Sequence, residues 1–180
     1  QKMILSRKNA KSYLEIGPGH GLFSYFSLGI LKSLSNYTAI DISKTSLNLT
    51  KNFLKFISKT NFNKISHFVN KDFLKLKEKN KFDLIVCGEV LEHVSDPIRL
   101  LKKINASLEK NGREFISTCA NCPAIDHVNE FFNIDEIEIL FKKANFKVIS
   151  RKILPVEKVS YRMALQKKIT VNYSAILEHK

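Results

Sequence analysis

The chain has 180 residues, 44% of them hydrophobic, and carries 30 Lys and Arg against 17 Asp and Glu, a formal net charge of +13. That length suits one domain, residues 1–180, with a real core. No apolar run approaches the roughly 20 residues that span a bilayer, the first eight residues are too short and too charged for a signal peptide, and Cys87, Cys119 and Cys122 are an odd number. A soluble cytoplasmic protein without stable membrane insertion or a disulfide framework is therefore expected.

In chain order, strands are predicted at 12–16, 37–42, 65–69, 82–87, 114–119, 147–154 and 169–177. A helix near 21–34 separates the first two. Ser43 caps the next, in which Leu47, Phe53, Leu54 and Ile57 recur at helical spacing. Asp96 and Pro97 open a helix expected to run to Glu109, with Asn111 and Gly112 ending it. Asn133 caps a helix over 134–144, and a polar stretch at 159–168 joins the last two strands. Strands alternating with helices imply an α/β fold, a Rossmann-like doubly wound sheet of about seven strands. Two closing strands without a long helix between them make it mostly parallel with an antiparallel last strand. The chain opens on Gln1, with a strand starting within about a dozen residues, which leaves room for an N-terminal extension outside the sequence.

After the first predicted strand comes Glu15-Ile-Gly17-Pro-Gly19-His-Gly21. Small residues at this bend let a ligand approach the backbone, and the spacing Gly-x-Gly-x-Gly differs from the Gly-x-Gly-x-x-Gly of dinucleotide binders. A little over 20 residues beyond the turn, Asp41 ends the second strand, where a carboxylate accepts from both hydroxyls of a ribose. Asp72 and Phe73 follow the third strand, where an acid takes the amino group of an adenine and the aromatic ring covers it. Gly88, closing the fourth strand, completes the set expected to line a nucleotide-like ligand.

In order and spacing these elements resemble the class I S-adenosylmethionine-dependent methyltransferases, and the likeness covers most of the chain. The resemblance implies the seven-stranded fold with its antiparallel last strand, and S-adenosylmethionine as cofactor. The sulfonium and ammonium groups of that cofactor favour acidic surroundings, which Glu15 would supply.

Beyond the fourth strand stands Gly88-Glu89-Val-Leu-Glu92-His93. If a helical turn begins near Gly88, then Glu89, Glu92 and His93 fall at i, i+3 and i+4 on one face. His127 follows the fifth strand, and loops after neighbouring strands of such a sheet lie side by side. These four residues are the expected ligands of a divalent metal, Mg, Mn, Fe or Zn. The pattern is similar to two metal-dependent groups, the ubiquinone-biosynthesis O-methyltransferases and the small-RNA 3'-terminal 2'-O-methyltransferases. A Leu-Glu-His segment at this place also occurs in class I enzymes that use no metal. There His93 or His127 would act as general base, an ordinary imidazole titrating near neutral pH. The expected reaction is O-methylation of a small-molecule hydroxyl or phosphate acceptor, such as a phenol, a sugar or a surface-polysaccharide intermediate. Methylation of an RNA 3' end is the alternative.

Two further features complete the reading. Residues 42–81 hold ten Lys or Arg against two acids and residues 83–138 five against eleven, so the segment read as catalytic is the acidic one. Cys119 and Cys122 form a single Cys-x-x-Cys, whereas a structural zinc site wants a second pair and a redox motif opens a helix. His20 is read as a neighbour of the cofactor, His67 and His179 as incidental, and nothing in the pattern speaks to oligomeric state.

Overall fold

The structure is a computed structural model describing residues 9–57, 62–77 and 80–180. The opening residues weighed above against a signal peptide lie outside it. Seven strands form one sheet: β1 (Ser12–Ile16), β2 (Asn36–Asp41), β3 (Ser66–Asn70), β4 (Phe82–Gly88), β5 (Leu108–Ala120), β6 (Phe146–Pro155) and β7 (Val171–His179). Their order is β3-β2-β1-β4-β5-β7-β6. The first five run parallel, and β7 inserts between β5 and β6 antiparallel to both. Helices α1 (Leu22–Ile30), α2 (Lys44–Ile57), α3 (Phe62–Ile65), α4 (Pro97–Ser107), α5 (Ile134–Lys143) and α6 (Tyr161–Gln166) connect them. The polar stretch expected as a connection between the last two strands thus contains a short helix, capped by the Ser160 hydroxyl.

Alternation along the central strands sorts the core into two layers. On one face Leu14, Ile16, Ile85 and Cys87 pack with Leu101 and Ile104 of α4 and with Ile137 and Phe141 of α5. On the other Tyr13, Tyr37, Leu84 and Val86 pack with Leu47 and Leu54 of α2. Helix starts follow the caps: Asp96 Oδ1 accepts from the Arg99 amide and Asn133 Oδ1 from the Glu136 amide.

The helix expected to reach Glu109 stops at Ser107 instead. Leu108 pairs with Phe82, and the register then jumps so that Leu84 meets Arg113, leaving 109–112 as a bulge in β5. Gly112 serves this bulge, because a Cβ there would lie 2.8 Å from the Phe82 carbonyl oxygen. Its role is close backbone approach within a strand, not helix termination.

Two acids are buried inside these layers. Glu15 accepts from the Tyr13 hydroxyl at 2.7 Å and from the Ser24 hydroxyl, which also meets Tyr37 at 2.6 Å. Burial pushes its carboxyl up to about 7, with the two hydroxyls opposing the shift. Glu114 is wholly buried in β5, neither of its carboxyl oxygens has a hydrogen-bond partner among the described residues, and burial raises it well above the carboxylate range. An acid raised in the folded state holds its proton there while the unfolded chain loses it, so its contribution is fully present below about pH 4.5 and is lost as pH rises through the folded value. Melting temperature is therefore expected to fall between pH 5 and 8. Glu15→Gln, whose amide oxygen accepts the same two hydroxyls, should flatten that slope by roughly 3 kcal/mol; an unchanged slope in thermal unfolding would contradict the assignment.

Candidate active site

The glycine turn sits where β1 ends beside β2 and β4. Gly17, Gly19 and Gly21 all have positive φ, 66°, 54° and 81°, a region in which L side chains are strained. At Gly17 the need is steric as well, since a Cβ would meet Val90 Cγ2 at 2.5 Å. Gly17 donates to the Ile40 carbonyl at 2.9 Å, and Thr50 of α2 donates to the Gly19 carbonyl at 2.9 Å, so the turn is held from two sides. Glu15 lies two residues before the turn, with its carboxyl bonded inside the core to the Tyr13 and Ser24 hydroxyls.

Over the turn opens a cleft of about 680 Å³, lined among others by Gly17, Asp41, Asp72, Phe73, His93 and Asp126. Asp41 Oδ1 accepts from the Ser43 amide at 2.7 Å, which fixes the carboxylate at the end of β2. Asp72 caps a 3-10 turn over 73–75 through the Leu74 amide at 2.8 Å. Phe73 is buried, and the Lys103 ammonium lies 4.8 Å from its ring centre while donating to the Phe73 and Leu76 carbonyls. Gly17, Asp41, Asp72 and Phe73 thus meet in one cleft. Gly88 serves elsewhere, for a Cβ there would lie 2.3 Å from the Phe23 ring of α1. His20 is exposed beside the turn, and His179 pairs with Asn105 and the Glu109 carbonyl at the far end of β7.

At the cleft's far wall the acidic segment takes a shape the helical spacing does not describe. Glu89 has φ +52°, and only Leu91–His93 form a turn, of 3-10 type. The cause is strand pairing, because the Glu89 amide still bonds the Ser117 carbonyl at 2.9 Å and the chain must then reverse. Convergence comes from this reversal rather than from one helix face. Ser117 donates to Glu89 Oε1 at 2.6 Å, and Thr118 donates to the buried Glu92 Oε2 at 2.8 Å. Burial of its carboxyl raises Glu89, Ser117 opposes this, and the neighbouring Glu92 charge raises it further.

His127 reaches the cluster on a loop pinned to Glu92, whose carbonyl accepts from the Val128 and Asn129 amides at 2.9 Å each. The His93 and His127 rings meet edge to face at 4.9 Å. Among the described residues, donor atoms within 4.8 Å of one another form three groups: Glu92, His93 and His127; Glu89, Glu92 and Cys119; and Cys119, Cys122 and His127. The four expected ligands are therefore spread over two overlapping groups joined at Glu92. The sequence reading missed Ser117 and Thr118, which orient the carboxylates, and Asp126, whose carbonyl meets His93 Nδ1 at 2.9 Å. Two adjacent hydroxyl residues ending a strand were the available signal, usable only once β5 is known to lie beside β4.

Comparison with known proteins decides the family. Residues 1–151 match the family described as a methyltransferase domain. The chain belongs to the class I S-adenosylmethionine-dependent methyltransferases. It is 32% identical over 108 residues to a ubiquinone biosynthesis O-methyltransferase of Coxiella burnetii, covering 60% of this chain and 43% of that protein. It is 37% identical over 111 residues to the enzyme of that name from Pelagibacter ubique, covering 62% and 42%. The chain thus spans less than half the length of the curated relatives it matches. In fold it resembles the O-methyltransferase from a trans-AT PKS multienzyme of Brevibacillus brevis, solved in complex with S-adenosyl-L-homocysteine. The TM-score is 0.72 at 16% identity, over 99% of this chain and 71% of that one.

This methyltransferase fold needs Gly17 to stay a glycine. Gly17→Ala should lose on the order of 1–3 kcal/mol from the left-handed backbone alone, before Val90 is displaced. Differential scanning calorimetry reads the loss, and an unaltered melting temperature would mean that the turn is slack.

Proposed function

We propose that residues 1–180 form a single methyltransferase domain that O-methylates a small-molecule hydroxyl or phosphate acceptor with assistance from a divalent cation. The observation that supports this reading is that Glu92 stands within one group with His93 and His127 and within a second with Glu89, while His93 also lines the cofactor cleft. S-adenosylmethionine supplies an electrophilic methyl group when bound, and one cleft brings together Gly17, which leaves the backbone open, Asp41, which would hold the ribose, and Asp72 and Phe73, which would take the adenine. The ubiquinone-biosynthesis name of both relatives favours the small-molecule class over RNA.

The residues at the wall have separable tasks. A carbonyl only accepts, so His93 Nδ1 donates to the Asp126 oxygen, and in the neutral imidazole Nε2 bears the lone pair. That lone pair is a ligand position, and in the absence of a cation it is the atom that takes the acceptor's hydroxyl proton. Glu89 and Glu92 are aimed by the Ser117 and Thr118 hydroxyls, the outer-shell support that carboxylate ligands ordinarily have. A cation held among two carboxylates and two imidazoles would supply charge stabilisation for the oxyanion of the acceptor. Mg, Mn, Fe and Zn all accept such a mixed set. His93 and Asp126 line the cleft as well as this wall, so an acceptor oxygen held here would stand beside the cleft that would hold the methyl donor.

Glu92→Ala and His127→Ala are expected to abolish transfer to a hydroxyl acceptor while S-adenosylhomocysteine binding, followed by calorimetry, survives. Turnover that persists in a chelator would remove the cation from the reaction. The net charge of +13 favours RNA as the second reading. It requires affinity for short RNA that falls steeply with salt, and a flat response excludes it.

A further inference from the structure

We propose that Cys119, Cys122 and His127 form a thiolate–imidazole site for a cation of the zinc class, beside the carboxylate cluster and competing with it for the His127 lone pair. The sequence offers only one Cys-x-x-Cys pair, but the fold brings a third donor to it. The two sulfurs and a ring nitrogen lie within 4.8 Å of one another. Tetrahedral zinc with Zn–S of about 2.3 Å and Zn–N of about 2.0 Å sets its donors roughly 3.5–3.8 Å apart, so sub-ångström to one-ångström side-chain movements close the site.

The backbone under these donors is fixed. Cys119 is buried in the last turn of pairing between β5 and β7, opposite Asn172. The chain leaves β5 at Ala120, and Asn121, at φ +51°, folds it back so that Cys122 returns beside Cys119. That bend is bonded on both sides, with the Asn121 amide donating to the Phe131 carbonyl at 2.8 Å and the Thr170 hydroxyl donating to the Asn121 carbonyl at 2.8 Å. His127 is placed by its own amide on the Ala124 carbonyl at 3.1 Å and by the Glu92 bonds to the next two residues.

Donor chemistry selects the ion class. Two sulfurs and one imidazole suit zinc and its soft or borderline relatives, whereas magnesium and calcium want oxygen. Cys122 and His127 are only half-buried, which leaves an entry path, and both thiols are free. A dithiol redox role fits less well. A reactive Cys-x-x-Cys draws its low-pKa thiolate from a helix N-terminus, and here the first cysteine ends a strand.

The test is titration of the reduced, metal-stripped full chain with cobalt(II), followed by zinc. One equivalent of cobalt should raise a thiolate-to-metal charge-transfer band in the near ultraviolet that zinc bleaches. Cys122→Ser, at a half-exposed position that the fold tolerates, should roughly halve that band and weaken zinc binding by 10-fold or more. Glu89→Gln should leave the band in place. Cobalt bound with no such band, a band indifferent to Cys122→Ser, absence of stoichiometric binding, or thiol counts showing a Cys119–Cys122 disulfide in reductant would each overturn the site. The carboxylate reading is scored separately: cobalt that binds without the band and is lost in Glu92→Ala sinks only the thiolate site.

Discussion

The parallel pairing of β4 with β5, which sets Gly88 opposite Ser117, is the constraint on which the rest of the site depends. It carries the Glu89 amide onto the Ser117 carbonyl, forces the reversal at Glu89 and brings two hydroxyls of β5 under two carboxylates from the following loop. The same edge receives the glycine turn, because β1 pairs with β4 on its other side. Ligand chemistry in an open α/β sheet gathers at the carboxyl ends of its strands, and Gly17, Asp41, Asp72, Glu89 and His127 all stand at or beyond such an end.

Position in the sheet, not burial, separates two kinds of acid in this basic chain, since Glu92 is as buried as Glu15. Glu15 and Glu114 are enclosed by the sheet and held toward the neutral form, one with two hydroxyl donors and the other with none. Glu89 and Glu92 sit instead at the sheet's edge, where hydroxyl donors leave part of each carboxylate available and imidazoles stand close by. The first pair belongs to the core's stability, and the second is the pair proposed for the chemistry. The surplus of lysine lies elsewhere, above all in 42–81, and leaves the acidic segment distinct.

Much of this was legible in the sequence. The run to Ile16, the glycine turn, the acids at Asp41 and Asp72 and the antiparallel ending all follow from local pattern, since strand periodicity and backbone approach leave marks within a few residues. What the sequence did not reveal depends on contacts between distant segments. The left-handed turn at Glu89 exists because of a bond to Ser117, the bulge at Gly112 because of the Phe82 carbonyl, and the third donor beside Cys119 and Cys122 because a loop is tied to Glu92. Helical spacing groups Glu92 with Glu89 and with His93 for a reason the fold does not use. Asn111 and Gly112 resemble a helix stop, yet the helix had already ended at Ser107.

The central claim is that a cofactor cleft and a cation cluster share one wall, formed by His93 and Asp126. It is tested most directly by a crystal structure of the protein with S-adenosylhomocysteine and manganese, using anomalous scattering to locate the metal. The predicted result is the adenosyl group against Asp41, Asp72 and Phe73, with an anomalous peak among Glu89, Glu92, His93 and His127. Density for the nucleoside outside that cleft, or a fully occupied cofactor with no metal peak in the cluster, would contradict it.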